Sequence, residues 1–138
     1  MRYMTLYKRG RESNTPPTQQ EIAALGQLIE EMANAGVLIA TDGLQPSSKG
    51  ARVRISDGKF TVTDGPFAET KELISGYAIV EASSKQAAID LAKRFLAVMG
   101  EGESEVRLMQ GTAGFGPDSA PDFSAGQVPQ RAEVAAKR

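Results

Sequence analysis

The segment Asp-Gly-Pro-Phe at residues 64–67 has the residue types best suited to chemistry in this sequence. Asp64 ends a strand-like run, and Pro66 then turns the chain because proline has no N–H to continue a central ladder. A carboxylate at such a corner, beside Phe67, would be partly desolvated, which fits it for proton transfer near neutral pH. We therefore predict Asp64 as the catalytic residue. The alternative is that Asp64 accepts backbone N–H groups and only shapes the turn.

Two arginines before this corner have a spacing suited to anion binding. The dipeptide Asp57-Gly58 favours a two-residue turn between β-rich runs, which places Arg52 and Arg54 on one face of a hairpin. Two guanidinium groups on one strand face can bind a carboxylate or phosphate together. We predict that they anchor a small anionic ligand, with a solvated hairpin face as the other interpretation. The opposite face of the hairpin carries Val53, Ile55, Phe60 and Val62.

Three further side chains complete the predicted site. Glu69 and Lys71 follow the corner and would form an anion clamp or a proton-transfer pair, unless they are ion-paired residues of a solvated loop. Tyr77 follows a strand glycine, and its hydroxyl would donate to a bound oxyanion if its ring lines a pocket instead of the core. The predicted substrate-binding residues are therefore Arg52, Arg54, Glu69, Lys71 and Tyr77.

The residue types that are missing narrow the chemistry. The 138 residues include no histidine and no cysteine, which excludes histidine-dependent triads, cysteine nucleophiles and zinc fingers. The sequence has no calcium-loop pattern, so we predict no metal and no cofactor. The net charge is −1, from 16 basic and 17 acidic residues, which argues against direct nucleic-acid binding.

The sequence also predicts the compartment. No apolar run approaches the ~18 residues that a membrane helix needs, so we expect no membrane partner. The first residues lack the apolar core of a signal peptide. A chain without cysteine is compatible with a reducing compartment, and we expect a cytoplasmic protein.

Apolar periodicity predicts the element order β-α-β, hairpin, β-α-β. Residues 2–8 alternate as a strand, and residues 37–40 form a continuous apolar run typical of a central strand covered on both faces. Thr18 and Glu21 form a capping box before the first helix. The first strand places Tyr3, Thr5 and Tyr7 on one face. The first helix places Ile22, Leu25, Ile29 and Met32 on one stripe.

This order predicts an α+β fold of ferredoxin-like topology, an antiparallel sheet with two helices on one face. The other sheet face then needs a cover, and a second copy of the chain supplies the simplest one, giving a homodimeric α+β barrel. The domain is expected to span residues 1–111. Residues 112–138 are rich in glycine, proline and alanine and would form a tail, flexible or docked through Phe115 and Phe123.

Residues 64–72, DGPFAETKE, resemble the signature of the DGPF-domain branch of the YCII-like family. The resemblance continues through residues 43–54 and 73–77 and covers residues 1–111. It implies a small dimeric α+β barrel protein in which Asp64 matches an aspartate of the family's site. Some relatives pair that aspartate with a histidine, and this sequence has none.

The resemblance and the residues together leave three functional expectations. The first is a cofactor-independent enzyme of lyase or isomerase type, in which Asp64 moves a proton on an anionic small molecule. The second is a non-catalytic ligand-binding or accessory protein, linked to transcription through sigma factors without contacting DNA. The third is a structural dimer whose loops serve only as scaffold.

Overall fold

A computed structural model describes residues 1–12 and 15–111. Within those residues the elements are β1 (Arg2–Lys8), α1 (Gln19–Asn34), β2 (Leu38–Gly43), β3 (Ala51–Ser56), β4 (Lys59–Asp64), β5 (Gly76–Glu81), α2 (Lys85–Met99) and β6 (Glu103–Leu108). This order confirms the predicted β-α-β, hairpin, β-α-β pattern. The predictions for residues 112–138, including the docking of Phe115 and Phe123, lie outside the described residues.

Four strands form one antiparallel sheet in the order β2-β5-β1-β6. The register places Tyr3 opposite Val80 and Thr5 opposite Ala78, so these side chains share the face that meets the helices. Both helices contribute to one core with that face. The core cluster is Tyr3, Leu28, Met32, Val80, Ala82 and Ala88. The α+β fold with ferredoxin-like strand order and two helices on one face is therefore confirmed.

The first helix begins as predicted but is buried differently. The Thr18 side chain accepts from the Glu21 N–H at 3.1 Å, and the Glu21 carboxylate accepts from the Thr18 N–H, which completes the capping box. Leu28 and Met32 are buried, whereas Ile22 is 56% exposed. The prediction that Ile22 belongs to the buried stripe was wrong. Because α1 packs mainly on α2 and on β2, only its C-terminal half is well covered.

The position of β2 differs from the prediction. The apolar run at residues 37–40 indicated a central strand, yet β2 is an edge strand that pairs with β5 alone. Its register with β5 shifts between Leu38 and Ala40. The run is apolar because an edge strand beneath α1 is still half-buried, and edge position depends on strand order, which local apolarity does not encode.

The predicted hairpin is present and forms its own two-stranded sheet. Asp57 and Gly58 have φ values of 51° and 76°, the two positive angles that a type I′ turn requires. Arg52 lies opposite Thr63 and Arg54 opposite Thr61, in the predicted register. The apolar face is exposed in the single chain, at 68% for Val53, 60% for Ile55, 72% for Phe60 and 64% for Val62.

Neither described helix has the length and apolar character needed to cross a membrane. Within residues 1–12 and 15–111, no group of three or more acidic side chains gathers where it could hold a metal ion.

Candidate functional site

A cavity of about 410 Å³ lies between the two helices and the inner face of the four-stranded sheet. Its apolar walls come mainly from Leu25, Leu28, Ile29 and Met32 of α1 and from Leu91, Phe95 and Met99 of α2. Gly76 and Ala78 of β5 form part of its floor, and Ala92 of α2 lies in its wall. Because these three residues have little or no side chain, space remains between the sheet and the helices. A cavity of this size is typical of small-molecule sites.

Tyr7 of β1 is the polar side chain whose environment inside this cavity is best defined. It is 5% exposed, and its hydroxyl donates to the backbone oxygen of Glu101 at 2.8 Å. Its ring meets Phe95 edge-on at 5.0 Å. Burial raises the pKa of the Tyr7 phenol above its ordinary value. The phenol is therefore protonated at neutral pH and acts as a hydrogen-bond donor, not as a base.

Two arginines line the rim of the cavity where the chain leaves β1. Arg9 Nε contacts Glu101 Oε1 at 2.8 Å, and Arg11 Nη2 contacts the same oxygen at 3.0 Å. The Arg9 hydrogen bond is the main cause that lowers the pKa of Glu101, so this carboxylate stays ionised. Two guanidinium groups share one carboxylate, and both keep N–H donors for another acceptor.

Glu12, also on the rim, ties this region to the loop after β2. Its two carboxylate oxygens accept from the Ser47 N–H and from the Ser47 hydroxyl, each at 2.6 Å. The hydroxyl bond first, and then the backbone bond, lower the pKa of Glu12. The Ser47 hydroxyl oxygen in turn accepts from the Phe67 N–H at 3.1 Å. One serine therefore joins the cavity rim to the Asp-Gly-Pro-Phe corner.

The Asp-Gly-Pro-Phe corner is a closely fitted contact between backbone segments. The peptide between Gly65 and Pro66 is cis, and the Gly65 N–H donates to the Gly50 oxygen at 2.9 Å. A Cβ atom added at Gly65 would lie 1.7 Å from the Ser47 backbone oxygen. Only glycine fits this position, because real Cβ atoms do not approach a carbonyl oxygen so closely.

Arg52, Glu69 and Phe67 meet on the outside of this corner. Arg52 Nη1 lies 2.7 Å from Glu69 Oε1, and the Arg52 guanidinium stacks 3.9 Å above the centre of the Phe67 ring. The pKa of Glu69 is lowered, first by its own backbone N–H and then by Arg52. Glu69 therefore forms an ion pair with Arg52 of β3, and within the described residues no ion pair joins it to Lys71. The role of Glu69 and Lys71 as an anion clamp or proton-transfer pair stays a prediction.

Of the other predicted site residues, Asp64, Arg54 and Lys71 lie apart from the cavity, whereas Tyr77 of β5 is among its lining residues. Asp64 is exposed at the end of β4, opposite Ala51, and is not among the residues that line the cavity. Arg54 and Lys71 are exposed, and neither forms an ion pair within the described residues. Alternation along β5 puts the Tyr77 side chain on the sheet face opposite the helices, across from Leu6. The functional roles of these residues stay predictions.

Among the predicted site residues, Tyr77 alone lines the cavity. Arg9, Arg11 and Glu12 on its rim were not predicted. Side-chain alternation was a usable signal for the two arginines. Positions 3, 5 and 7 share one strand face, and positions 9 and 11 are the next alternate residues along the chain. Nothing in the sequence indicated that Glu12 would reach Ser47, which lies 35 positions away.

Comparison with known protein families matches residues 1–109 to the YCII-related domain. An uncharacterized protein of Rhizobium meliloti (strain 1021) is 36% identical over 69 residues. That match spans only about half of each protein, 50% of this chain and 56% of the relative. Because the family match covers most of the chain, the protein belongs to the YCII-related family.

Proposed function

We propose that this protein binds a small organic anion, with an apolar body, in the cavity between the sheet and the helices. The observation that carries the proposal is the combination of apolar walls with two arginines on the rim of the same cavity. The walls would hold the body of the ligand by excluding water from it. Arg9 and Arg11 would fix its orientation through the charged group.

The guanidinium groups on the rim support an anion as the preferred ligand. Arg9 and Arg11 share the Glu101 carboxylate, and the acidic residues Glu12 and Asp42 also line the cavity, so the preference rests on guanidinium N–H donors and not on net charge. Hydrogen bonds from guanidinium groups to a carboxylate are stronger than neutral ones and favour a planar, bidentate partner. A carboxylate ligand would therefore use the N–H donors that Glu101 leaves free.

The protonation of the cavity groups supports binding more than proton transfer. The pKa of Tyr7 is raised and that of Glu12 is lowered, so the phenol remains a donor and the carboxylate remains charged near neutral pH. Neither shift moves a group towards neutrality, as a general acid or base requires. Ligand binding without catalysis agrees with the accessory, transcription-linked role that the DGPF-domain resemblance implies. We propose that the chain belongs to that branch, because residues 64–67 match its signature.

A cofactor-independent acid/base enzyme is the second candidate, favoured by the convergence of Arg52, Phe67 and Glu69 at the corner that follows Asp64. Asp64 pairs with Ala51, on the other face of the hairpin from Arg52. Asp64 is exposed in the single chain, so this site would need a second copy to enclose it. The outer face of the sheet offers a surface for such a homodimer. Its half-buried apolar side chains are Met4, Leu6, Tyr77 and Ile79.

Calorimetry with a matched pair of probes tests the anion proposal. We expect para-isopropylbenzoate to bind and the neutral para-isopropylbenzamide to bind about tenfold more weakly, because one charge-assisted interaction is lost. Arg9→Gln and Arg11→Gln should weaken the acid and leave the amide unchanged. Arg94→Gln is the control, since this exposed arginine of α2 pairs with Glu31 outside the cavity. Equal affinity for acid and amide would contradict the proposal.

A cavity-filling variant shows whether the probes bind inside the cavity or elsewhere on the protein. Ala78→Leu places three more carbon atoms on the cavity floor and should abolish binding of both probes. Circular dichroism and thermal unfolding check that the variant folds. Binding that persists in a folded Ala78→Leu protein would place the probes elsewhere.

Sedimentation at micromolar concentration tests the homodimer on which the second candidate depends. We expect a dimer, and we expect Leu6→Glu to dissociate it by placing a charge on the outer sheet face. Ile22→Glu, at an exposed position of α1, should leave the dimer intact. A wild-type protein that sediments as a folded monomer would remove the enclosure that an Asp64 site requires.

A further inference from the structure

We infer that the buried hydroxyl of Thr5 is a second ligand contact, deep in the cavity, and that the preferred ligand is an organic anion carrying a ketone or similar hydrogen-bond acceptor. This inference rests on the proposed function and narrows its ligand class. Arg9 and Arg11 would hold the carboxylate at the rim. Thr5 would donate to the acceptor at the other end of the molecule.

Thr5 is a polar side chain in an otherwise apolar part of the core. It lines the cavity and is 9% exposed. Its direct neighbours on the adjacent strands are Ala78 and Val106, which have no polar side-chain atoms. Within residues 1–12 and 15–111 the Thr5 hydroxyl makes no hydrogen bond. Buried hydroxyl groups are almost always hydrogen-bonded, so an unpartnered one that faces a cavity has the capacity to bond a water molecule or a ligand there.

Other hydroxyl groups of the cavity show the contrast. The Thr41 hydroxyl donates to the Tyr77 backbone oxygen at 2.8 Å, and the Tyr7 hydroxyl donates to that of Glu101 at the same distance. The Ser75 hydroxyl oxygen accepts from the Arg9 N–H at 3.3 Å. Each of these groups is satisfied by the protein itself. Tyr3 is also buried and its hydroxyl makes no hydrogen bond within the described residues, but Tyr3 does not line the cavity. Thr5 is therefore the buried cavity hydroxyl with capacity for a ligand.

The strand geometry sets the length of the ligand. Thr5 and Arg9 are four positions apart along the extended chain, or about 13 Å between Cα atoms at ~3.3 Å per residue. The long arginine side chain shortens the distance that the ligand must span. Gly76 and Ala78 leave room beside Thr5, so a ring or a short chain fits between the two polar contacts.

Calorimetry with para-acetylbenzoate and para-isopropenylbenzoate tests this contact, because the two probes differ only by an oxygen in place of a methylene group. We expect wild type to prefer the ketone by about fivefold or more, the value of one neutral hydrogen bond. Thr5→Val should abolish the preference, because valine keeps the shape and removes the donor. Thr5→Ser should retain it.

Thermal unfolding without ligand provides a second readout. Thr5→Val removes a buried hydroxyl that has no partner, so its melting temperature should equal or exceed that of wild type. Thr41→Val removes a hydroxyl that is bonded to Tyr77, so its melting temperature should fall. If Thr5 served only to stabilise the fold, Thr5→Val and Thr41→Val would lower the melting temperature alike.

The outcomes separate this inference from the proposed function. If Thr5→Val keeps the preference for the ketone, or has a melting temperature as low as that of Thr41→Val, the proposed Thr5 contact is wrong. The proposed binding of an anion by Arg9 and Arg11 is then unaffected. If wild type binds neither the ketone nor the alkene probe, and does not distinguish para-isopropylbenzoate from para-isopropylbenzamide, the proposal of an anion site in the cavity is wrong. The Thr5 contact is then wrong as well.

Discussion

The Asp-Gly-Pro-Phe corner and the cavity differ in nearly every physical respect. The corner is a half-exposed contact between backbone segments, held by the Gly65–Gly50 hydrogen bond and by the stacking of Arg52 on Phe67. The cavity is walled by apolar side chains and contains a buried Thr5 and Tyr7. The corner has the more distinctive sequence, whereas the cavity has the shape of a binding site. A distinctive motif can therefore report a backbone constraint as readily as a reacting group.

Glu12 and Ser47 join the two regions. Glu12 lies on the cavity rim and holds Ser47, which accepts from the Phe67 N–H of the corner. A change at the corner can therefore reach the cavity through this pair. If the corner supports the rim, the substitution that displaces the most backbone at the corner should have the greatest effect.

Gly65→Ala should be the most damaging change at the corner. The new Cβ atom would lie 1.7 Å from the Ser47 oxygen, so the backbone must move. We expect the free energy of unfolding to fall by about 3 kcal/mol, the upper end of the cost of overpacking. Gly26→Ala is the control, because its Cβ would meet nothing within 4 Å and alanine favours the helix. Urea denaturation measures both, and equal stability of the two variants would refute the close contact.

Glu12→Gln should have the next largest effect, and one that depends on pH. Because the folded pKa of Glu12 is lowered, its contribution is present above the ordinary value of 4.5 and is lost as pH falls through the folded value. We expect wild type to lose stability on acidification below 4.5, and the variant to lose less. Denaturation over that range checks this, with Glu30→Gln on the exposed face of α1 as the control. A Glu12→Gln curve parallel to wild type would show that Glu12 does not support the rim.

Tyr7→Phe tests the hydrogen bond that the buried Tyr7 hydroxyl makes inside the cavity. Loss of the hydrogen bond to the Glu101 oxygen should cost about 1 kcal/mol at neutral pH. Because the folded pKa is raised above 10.0, the Tyr7 contribution is complete below that value and is lost as pH rises through the folded pKa. The variant should therefore be less sensitive to alkali than wild type.

Tyr3→Phe is the matched control for Tyr7→Phe, since Tyr3 lies on the same strand face and its hydroxyl makes no hydrogen bond within the described residues. Guanidinium denaturation at neutral and alkaline pH compares the two. A Tyr3→Phe variant as destabilised as Tyr7→Phe would show that ring packing, and not the phenol, causes the loss.

Arg52→Ala should have the smallest effect. The contact with Glu69 and the stacking on Phe67 are both exposed, so we expect the melting temperature to fall by about 2 °C at low salt and by less at high salt. Arg54→Ala, on the same strand face, should leave it unchanged. A ligand-binding role for this face would instead appear as weaker anion affinity in both variants.

Much of the fold was predictable because its signals act over a few residues. The Asp57-Gly58 turn set the register of β3 and β4, and that register holds at every pair from Ala51 and Asp64 to Ser56 and Lys59. The capping box at Thr18 needed only the spacing to Glu21. The central position expected for β2 was wrong, because an apolar run indicates burial but not the order of strands in a sheet.

The candidate site was less predictable, because its residues meet only through the topology of the sheet. Arg9 and Glu101 are 92 positions apart, and the cavity exists because small residues of β5 lie beneath helices that cover different parts of the sheet. The sequence by itself determined the Asp57-Gly58 turn, the Thr18 cap and the alternation that places Tyr3, Thr5 and Tyr7 on one face. Only the tertiary structure decided which distant groups share a cavity and, within the described residues, which hydroxyl of that cavity has no partner, since both depend on packing between elements that no local pattern records.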